Sequence, residues 1–308
     1  MKNPVLRLVL SSIVVSLSFA VLTSCAPQHP DSRTKLLVVA AENFWGDLAT
    51  QVGGDQVHVV SLMNNPNLDP HEYEANIADA KDVAEAHLVI KNGGGYDTWM
   101  NKLLAASPSS KRVVLTAWDL APEKLPENEH IWYGVTNDIA LTRALAAALT
   151  QLDPTHAAYF SANAAKLLTQ WQNLRQQMAQ LKLKLNHTPI GLTETIFLYQ
   201  TGDLGLNVLT PFAFMKAVAE GTDPSLQDTY KVEQQIRSHA IKVLVINEQT
   251  LSPLVDKLQK LAASAGIPVV PITETMSQGP MPEWLGGQLN RLATALGHQA
   301  VPEHPVTP

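Results

Sequence analysis

A segment of about thirty residues without glycine or proline constrains the fold of this chain more than any other feature. From Thr155 to about Leu185 the sequence is rich in alanine, leucine, glutamine and lysine, which favour helix. At 1.5 Å per residue this helix is a rod of roughly 45 Å, longer than one small domain needs. Asp153 and Pro154 supply an N-terminal cap and a first helical residue. We therefore predict a rigid linking helix over residues 153–186 that joins two lobes.

Short apolar runs alternate with helical patterns on both sides of this helix. Val57–Met63 and Arg112–Thr116 are two such runs before it, and the same rhythm restarts after it at Pro189. Continuous apolar strands separated by helices are typical of parallel sheets covered on both faces. The sequence therefore predicts an α/β fold of two lobes, each with a parallel sheet flanked by helices. The N-terminal lobe spans residues 36–152 and the C-terminal lobe residues 187–297.

The two ends of the chain lie outside this pattern. Lys2 and Arg7 accompany an apolar run that is too short to span a membrane, which is the layout of a secretory signal peptide. Cys25 follows two small residues, as in a bacterial lipobox, so its thiol is predicted to carry a lipid anchor. The resulting prediction is an exported protein, lipid-anchored to a membrane on the periplasmic face or the outer cell surface. Its signal peptide is 1–24, its lipidated tether 25–35 and its flexible tail 298–308.

Composition narrows the classes of function. The chain has one cysteine, so disulfides cannot support the fold and a metal site would use His, Asp and Glu. The formal net charge is −6, and it becomes more negative when the basic leader is removed. An acidic exported protein is a poor candidate for nucleic-acid binding. The 45% of apolar residues is enough to build a hydrophobic core.

Histidine and glutamate residues follow predicted strands in both halves of the chain. His71 lies in an Asp-Pro-His-Glu-Tyr-Glu motif, and His130 follows a proline-containing loop. Glu194 and Glu274 each follow an apolar strand within a Thr-Glu-Thr sequence, and Glu248 follows a third strand. Taken singly, each residue can also be explained without a metal, as a helix cap or as a packed side chain. Together, two neutral imidazoles and two carboxylates would neutralise a divalent cation at the ligand-binding edge of the sheets.

The order of these motifs resembles the metal-binding solute receptors of bacterial ABC importers, the cluster A-I lipoproteins that take up manganese, zinc or iron. The likeness covers about residues 36–297. It implies that His71, His130, Glu194 and Glu274 each supply one metal ligand. At the third position a glutamate is the form often found in manganese receptors, whereas the fourth position is usually an aspartate, one methylene shorter. Glu248 has a family counterpart that more often orients its neighbours, so we interpret it as a second-shell residue or an alternative fourth ligand.

The resemblance implies a binding protein and not an enzyme. The protein, as a monomer, would capture Mn²⁺ or Zn²⁺ in the inter-lobe cleft, with Fe²⁺ as a further candidate. It would then deliver the metal to a membrane permease. The ligand set suits Mn²⁺ or Fe²⁺ better than a sulfur-rich site would, although Zn²⁺ should bind more tightly in vitro. Protonation of the histidines should weaken binding below about pH 6.

Two other classes of function stay open at this point. An exported zinc hydrolase would use two histidines and a carboxylate with an open coordination position. The sequence has no His-Glu-x-x-His motif and no obvious additional base, which disfavours this class. An adhesion or host-interaction lipoprotein is the other alternative, but no segment of the sequence indicates a partner surface.

Overall fold

The computed structural model describes residues 35–66, 70–250, 252–277 and 279–299. All of them belong to one compact unit that begins at Lys35. The predicted signal peptide, Cys25, most of the predicted tail and the side chain of His71 lie outside the described part of the chain. None of the helices in that part combines the length and the apolar character that crossing a bilayer requires.

Four parallel strands form the first sheet, in the order β2-β1-β3-β4. Val38 pairs with Val59 on one side of β1 and with Leu88 on the other, and these apolar strands are covered by helices on both faces. The strands are β1 (Leu36–Glu42), β2 (Val57–Met63), β3 (Leu88–Lys91) and β4 (Val113–Thr116). The helices of this half are α1 (Asn43–Gly53), α2 (Ile77–Glu85), α3 (Thr98–Ala106) and α4 (Ala117–Leu120).

The second sheet repeats this architecture with the order β6-β5-β7-β8, again fully parallel. Two parallel sheets flanked by helices confirm the predicted fold class. The strands are β5 (Pro189–Leu192), β6 (Asn207–Val208), β7 (Leu244–Asn247) and β8 (Val269–Ile272). The helices are α7 (Leu198–Leu204), α8 (Phe212–Ala219), α9 (Leu226–Arg237), α10 (Pro253–Ser264) and α11 (Met281–Ala295).

The predicted long helix is present. Helices α5 (Val135–Leu152) and α6 (Ala157–Leu185) are separated by a 3-10 turn, Pro154–His156, whose first N–H groups are capped by Asp153. One face of α6 is buried against α1 and α5 from the first half and against α7 and α11 from the second half. The helix is therefore part of the common core of both halves and does more than separate them.

The connection between β4 and α5 differs from the prediction. We predict from the sequence that Asn137 caps a helix, but α5 already begins at Val135. The Asn137 side chain instead bonds to both backbone groups of Glu123 and donates to the carbonyl of Ile131. This asparagine lies on a helix beside a long loop, so it stabilises the loop that carries His130. The short elements α4, β6 and α8 were not predicted, because they follow strands without a clear periodic pattern.

Aromatic side chains fill the region where the two halves meet. Trp132 is fully buried and stacks on Phe44, with ring centroids 4.4 Å apart and an interplanar angle of 18°. Tyr133, also fully buried, donates through its hydroxyl to the carbonyl of Thr273 at 2.7 Å, which links the loop after β4 to the end of β8. Residues of both halves consequently belong to a single hydrophobic cluster.

Candidate metal centre

The two predicted glutamate ligands follow two strands of the second sheet, β5 and β8. Glu194 is two residues beyond β5 and Glu274 two residues beyond β8, with β7 between these strands. Their exposed fractions are 1% and 0%. Because parallel strands end at the same edge of a sheet, the repeated Thr-Glu-Thr sequence places both carboxylates at one buried edge. Burying two carboxylates this closely is costly unless positive charge or hydrogen-bond donors accompany them.

His130 is held in one orientation by Asn128. The Asn128 Oδ1 accepts hydrogen bonds from the His130 backbone N–H at 3.1 Å and from Nδ1 at 2.9 Å. The amide orientation of Asn128 is fixed because its Nδ2 donates to the carbonyl of Thr195 at 2.8 Å. Nδ1 therefore carries the proton of the neutral ring, and Nε2 has the lone pair that a metal needs. This fully buried Nε2 lies 3.9 Å from Glu274 Oε2.

Hydrogen-bond donors from both halves of the molecule surround the Glu274 carboxylate. Asn247 Nδ2, at the end of β7, donates to Oε1 at 2.6 Å, and the Tyr96 hydroxyl donates to Oε2 at 2.7 Å. Gln249 Oε1 accepts from the backbone N–H groups of Glu274 and Thr275 at 2.7 and 2.9 Å. Both the backbone and the carboxylate of Glu274 are thus fixed.

A third carboxylate contributes to the electrostatics of this region. Burial, followed by the charges of Glu274, Glu42 and Glu194, raises the pKa of the Tyr96 phenol well above its ordinary value. The phenol therefore stays protonated and remains a donor to Glu274. Thr250 Oγ1 donates to Glu194 Oε2 at 3.2 Å, which orients that carboxylate. The region combines a strongly negative potential with one neutral imidazole, as a cation site requires.

A cavity of about 420 Å³ lies next to Glu194. Thr250 lines this cavity and also donates to the Glu194 carboxylate. Glu72, which follows His71 in the sequence, lies on another wall of the same cavity. The cavity therefore reaches the turn that contains His71 and the Thr250 side chain, whereas the Glu194 carboxylate lies behind Thr250 and does not line it.

The two remaining predicted site residues are His71 and Glu248. The backbone of His71 lies in a 3-10 turn, Pro70–Glu72, and its side chain is outside the described part of the chain. Glu248 is exposed, and its neighbour Asn247 contacts Glu274 instead. Among the described residues, no three His, Cys, Asp or Glu side chains have the arrangement of a formed metal site. His130 and Glu274 face each other directly, whereas Glu194 lies at the same edge of the sheet after β5, with β7 between.

Residues that position the ligands were missed at the level of sequence. Asn128, Asn247 and Tyr96 contact His130 or Glu274, and no motif marks them as polar partners. The only signal for Tyr96 is the preceding turn Gly93–Gly95, in which all three residues have positive φ. A Cβ atom on Gly94 would lie 2.6 Å from the Trp118 ring, so glycine is required there for the turn to place Tyr96.

A buried carboxyl pair lies beside the centre in the first half. Glu42 ends β1 with no exposed surface, and burial followed by the charge of Asp97 raises its pKa well above the ordinary value. The Asp97 carboxylate accepts hydrogen bonds from the N–H groups of Asn92 and Gly93 at 2.7 and 2.8 Å. These donors stabilise the charged form of Asp97 better than that of Glu42. Glu42 is consequently the member of the pair that holds a proton to the higher pH.

We expect Glu42→Gln to stabilise the metal-free protein at pH 7.5 more than at pH 4. Above the ordinary pKa of 4.5 the unfolded carboxyl ionises, whereas burial and the charge of Asp97 hold the proton on the folded one to a higher pH. The free energy of unfolding of the wild type therefore falls as pH rises from that value towards the raised pKa. Urea unfolding at pH 4 and pH 7.5, with chelator present, should show the difference at the higher pH and almost none at the lower. A pH-independent difference would contradict the assignment, and the exposed Glu248→Gln serves as the control.

Solved structures of similar fold support the architecture. The periplasmic zinc binding protein TroA from Treponema pallidum superposes with a TM-score of 0.74 at 19% identity, over 85% of this chain and 99% of that one. The SBP FpvC from Pseudomonas aeruginosa in complex with Mn²⁺ gives a TM-score of 0.68 at 20% identity, over 86% and 99% of the two chains. At these identities the likeness establishes the fold. Two parallel sheets joined by a long helix are the fold that this chain shares with these two proteins.

Sequence comparison identifies the family. The chain belongs to the ZnuA family, described as zinc-uptake complex component A, periplasmic, whose profile matches residues 38–295. YfeA of Yersinia pestis, an iron-binding protein, is 24% identical over 301 residues, which cover 92% of this chain and 94% of YfeA. The manganese ABC transporter substrate-binding lipoprotein PsaA of Streptococcus mitis is 28% identical over 191 residues, 57% and 60% of the two chains. The family comprises metal-binding substrate-binding proteins of ABC transporters, not enzymes.

Proposed function

We propose that this chain binds a divalent metal ion at His71, His130, Glu194 and Glu274 and delivers it to an ABC permease. The observation that carries this proposal is the buried pair formed by His130 Nε2 and Glu274 Oε2, 3.9 Å apart. This separation is too long for a hydrogen bond. It suits two ligands of one ion, because metal bonds of about 2.0–2.2 Å hold neighbouring ligand atoms roughly 3–4 Å apart.

The tautomer of His130 supports the same proposal. Asn128 Oδ1 accepts a hydrogen bond from Nδ1–H, so Nε2 carries the lone pair and would coordinate without prior loss of a proton. Glu194 would complete the carboxylate pair from the end of β5, and His71 would add the second imidazole. Two carboxylates would then neutralise the charge of the ion in a site closed to solvent. An ion in the cavity that Thr250 lines would be one side chain away from Glu194, because the Thr250 hydroxyl donates to that carboxylate.

The metal we propose is Zn²⁺ or Mn²⁺, with Fe²⁺ as a further candidate. TroA is a zinc binding protein, PsaA belongs to a manganese transporter and YfeA is an iron-binding protein, so the relatives do not favour one ion. A ligand set made only of nitrogen and oxygen atoms accepts each of these cations. We further propose that the exported protein is anchored through a lipid on Cys25 and acts as a monomer with two lobes, residues 36–152 and 187–297, around the metal.

A titration tests the proposal. The protein from Ala26 onward, freed of metal with a chelator and then dialysed, should bind one equivalent of Zn²⁺ or one equivalent of Mn²⁺. The two ions should compete for the same site. We expect Glu194→Ala to weaken Zn²⁺ binding by more than about 100-fold, because loss of outer partners alone costs 10–100-fold.

The matched control is Glu248→Ala, which removes an exposed glutamate that also follows a strand of the second sheet. Its affinity should stay within threefold of the wild type. Wild-type protein that binds neither ion would refute the proposed function. An equal loss in both variants would show that the carboxylates act through charge and not as ligands.

A further inference from the structure

The side chain of Asn43 bonds to the backbone of the segment that follows β8. Asn43 is the first residue of α1, and an asparagine near the start of a helix commonly caps its own helix. Here Nδ2 donates to the Met276 carbonyl at 2.8 Å, and Oδ1 accepts from the Met276 N–H at 3.0 Å. Met276 is buried, so both of its backbone groups need such partners. One side chain of the first half thus provides a partner for both groups of a residue in the second half.

Asp47 bonds to the second half one helical turn further on. Residues four positions apart lie on the same face of a helix, so Asn43 and Asp47 face the same way from α1. Asp47 Oδ2 accepts from the N–H of Met281 at 2.8 Å. Met281 is the first residue of α11, where backbone N–H groups have no acceptor in their own helix. One face of α1 is therefore bonded both to the segment after β8 and to the helix that follows it.

The bonds of this segment bracket Glu274. The pairing of β7 with β8 ends two residues before Glu274, so the strand ladder does not position this glutamate. Gln249, from the second half, accepts from the N–H groups of Glu274 and of the next residue. From the first half, Tyr133 donates to the carbonyl immediately before Glu274, and Asn43 pairs with the residue two positions after it. The backbone of this predicted ligand is therefore held from both halves of the molecule.

The position of the backbone after Glu274 decides how firmly its carboxylate can hold an ion. A metal ligand has to be kept within about 0.5 Å of its productive position by the residues that support it. Supporting bonds that exist before binding also lower the cost of ordering the ligand. Without the bonds to Met276, a small shift of the chain would carry the carboxylate away from the ion. The approach of an ion to the other ligands would stay the same.

We propose that Asn43 is a positioning residue of the metal centre, whose amide holds the chain after Glu274 against the first half and thereby slows release of the bound ion. This inference rests on the proposed function, in which Glu274 is a ligand. Asn43 acts through the backbone of Met276, on which both of its bonds end, and not through contact with the ion. The affinity should therefore depend on Asn43 mainly through the dissociation rate.

The experiment compares Asn43→Ala with the wild type, each loaded with one equivalent of Zn²⁺ and mixed with an excess of a chromophoric chelator. We expect the dissociation rate to rise about tenfold, the lower end of the range for outer partners of a metal ligand. The association rate should stay within threefold of the wild-type value. In the metal-free protein, the Met276 N–H should exchange faster with deuterium, because it loses its acceptor. Asn43→Asp keeps the shape and the acceptor oxygen but loses the donor, so its dissociation rate should rise less.

Asn163→Ala is the matched control. Asn163 Nδ2 also donates to a backbone carbonyl of another element, that of Val52 at 3.2 Å, but this bond joins α6 to α1. Its loss should lower the free energy of unfolding in urea and leave the Zn²⁺ dissociation rate unchanged. Equal rises in the two alanine variants, or no rise in Asn43→Ala, would overturn the positioning role. Glu274→Gln separates this inference from the proposed function, because unchanged Zn²⁺ binding in that variant would refute the metal centre itself, whatever the result for Asn43.

Discussion

His130→Ala should lower the affinity for Zn²⁺ by more than about 100-fold, since it removes a ligand whose outer partners alone contribute 10–100-fold. The effect is large because no neighbouring group can replace the imidazole. His130 is fully buried, and Asn128 fixes its Nε2 towards Glu274. Alanine would leave two carboxylates close together without a neutral nitrogen donor beside them. Competition with a chromophoric chelator at pH 7.5 measures the dissociation constant over the range required.

His156→Ala is the control for that experiment. This histidine pairs with Asp153 in the turn before α6, far along the chain from the strand ends that hold the glutamates. The affinity of the His156→Ala variant for Zn²⁺ should equal that of the wild type. If His130→Ala retained wild-type affinity, the ion would have to be held by other residues, and the facing pair of His130 and Glu274 would have another explanation.

Trp132→Ala should reduce the free energy of unfolding by about 3–5 kcal/mol, the range for deleting a fully buried aromatic side chain. The indole stacks on Phe44 and lies against Tyr96 and His130, with ring centroids 4.8 and 5.2 Å away. Its removal would create a cavity beside His130 and Tyr96, next to the proposed metal centre. We therefore expect weaker Zn²⁺ binding as well, since the rings that position His130 and Tyr96 lose their support.

Urea unfolding of the metal-free protein measures the first effect and titration of the folded variant the second. Trp118→Ala is a suitable comparison, because Trp118 is only partly buried and lies beneath Lys124 at the surface. It should cost clearly less stability and leave the Zn²⁺ affinity unchanged. Equal losses of stability in the two variants would contradict the position of Trp132 in the shared core.

The fold was predictable where the sequence is periodic. Strand β2 has the predicted limits, and the long helix ends at Leu185. Apolar periodicity and caps are local signals, so they survive without knowledge of the tertiary structure. Elements such as β6, with two residues, exist because β5 provides a partner, and no local pattern predicts them.

The candidate site was predictable in part for the same reason. Glu194 and Glu274 follow strands, so their shared edge could be inferred from the order of elements. Tyr96 and Asn128 are far from the glutamates in the sequence, and their bonds depend on how the loops pack. Glu248 shows the opposite case: it follows β7 directly, yet it faces solvent, while the preceding Asn247 faces Glu274. One residue of register at a strand end reverses which side chain faces the site.

The most direct measurement is a crystal structure of the protein soaked with Zn²⁺, with an anomalous difference map recorded at the zinc edge. We predict one strong peak within about 2.0–2.2 Å of His130 Nε2 and of carboxylate oxygens from Glu194 and Glu274, with His71 as the fourth ligand. A peak that is absent from this position, or that lies at Glu248 or on the surface, would contradict the proposed metal centre.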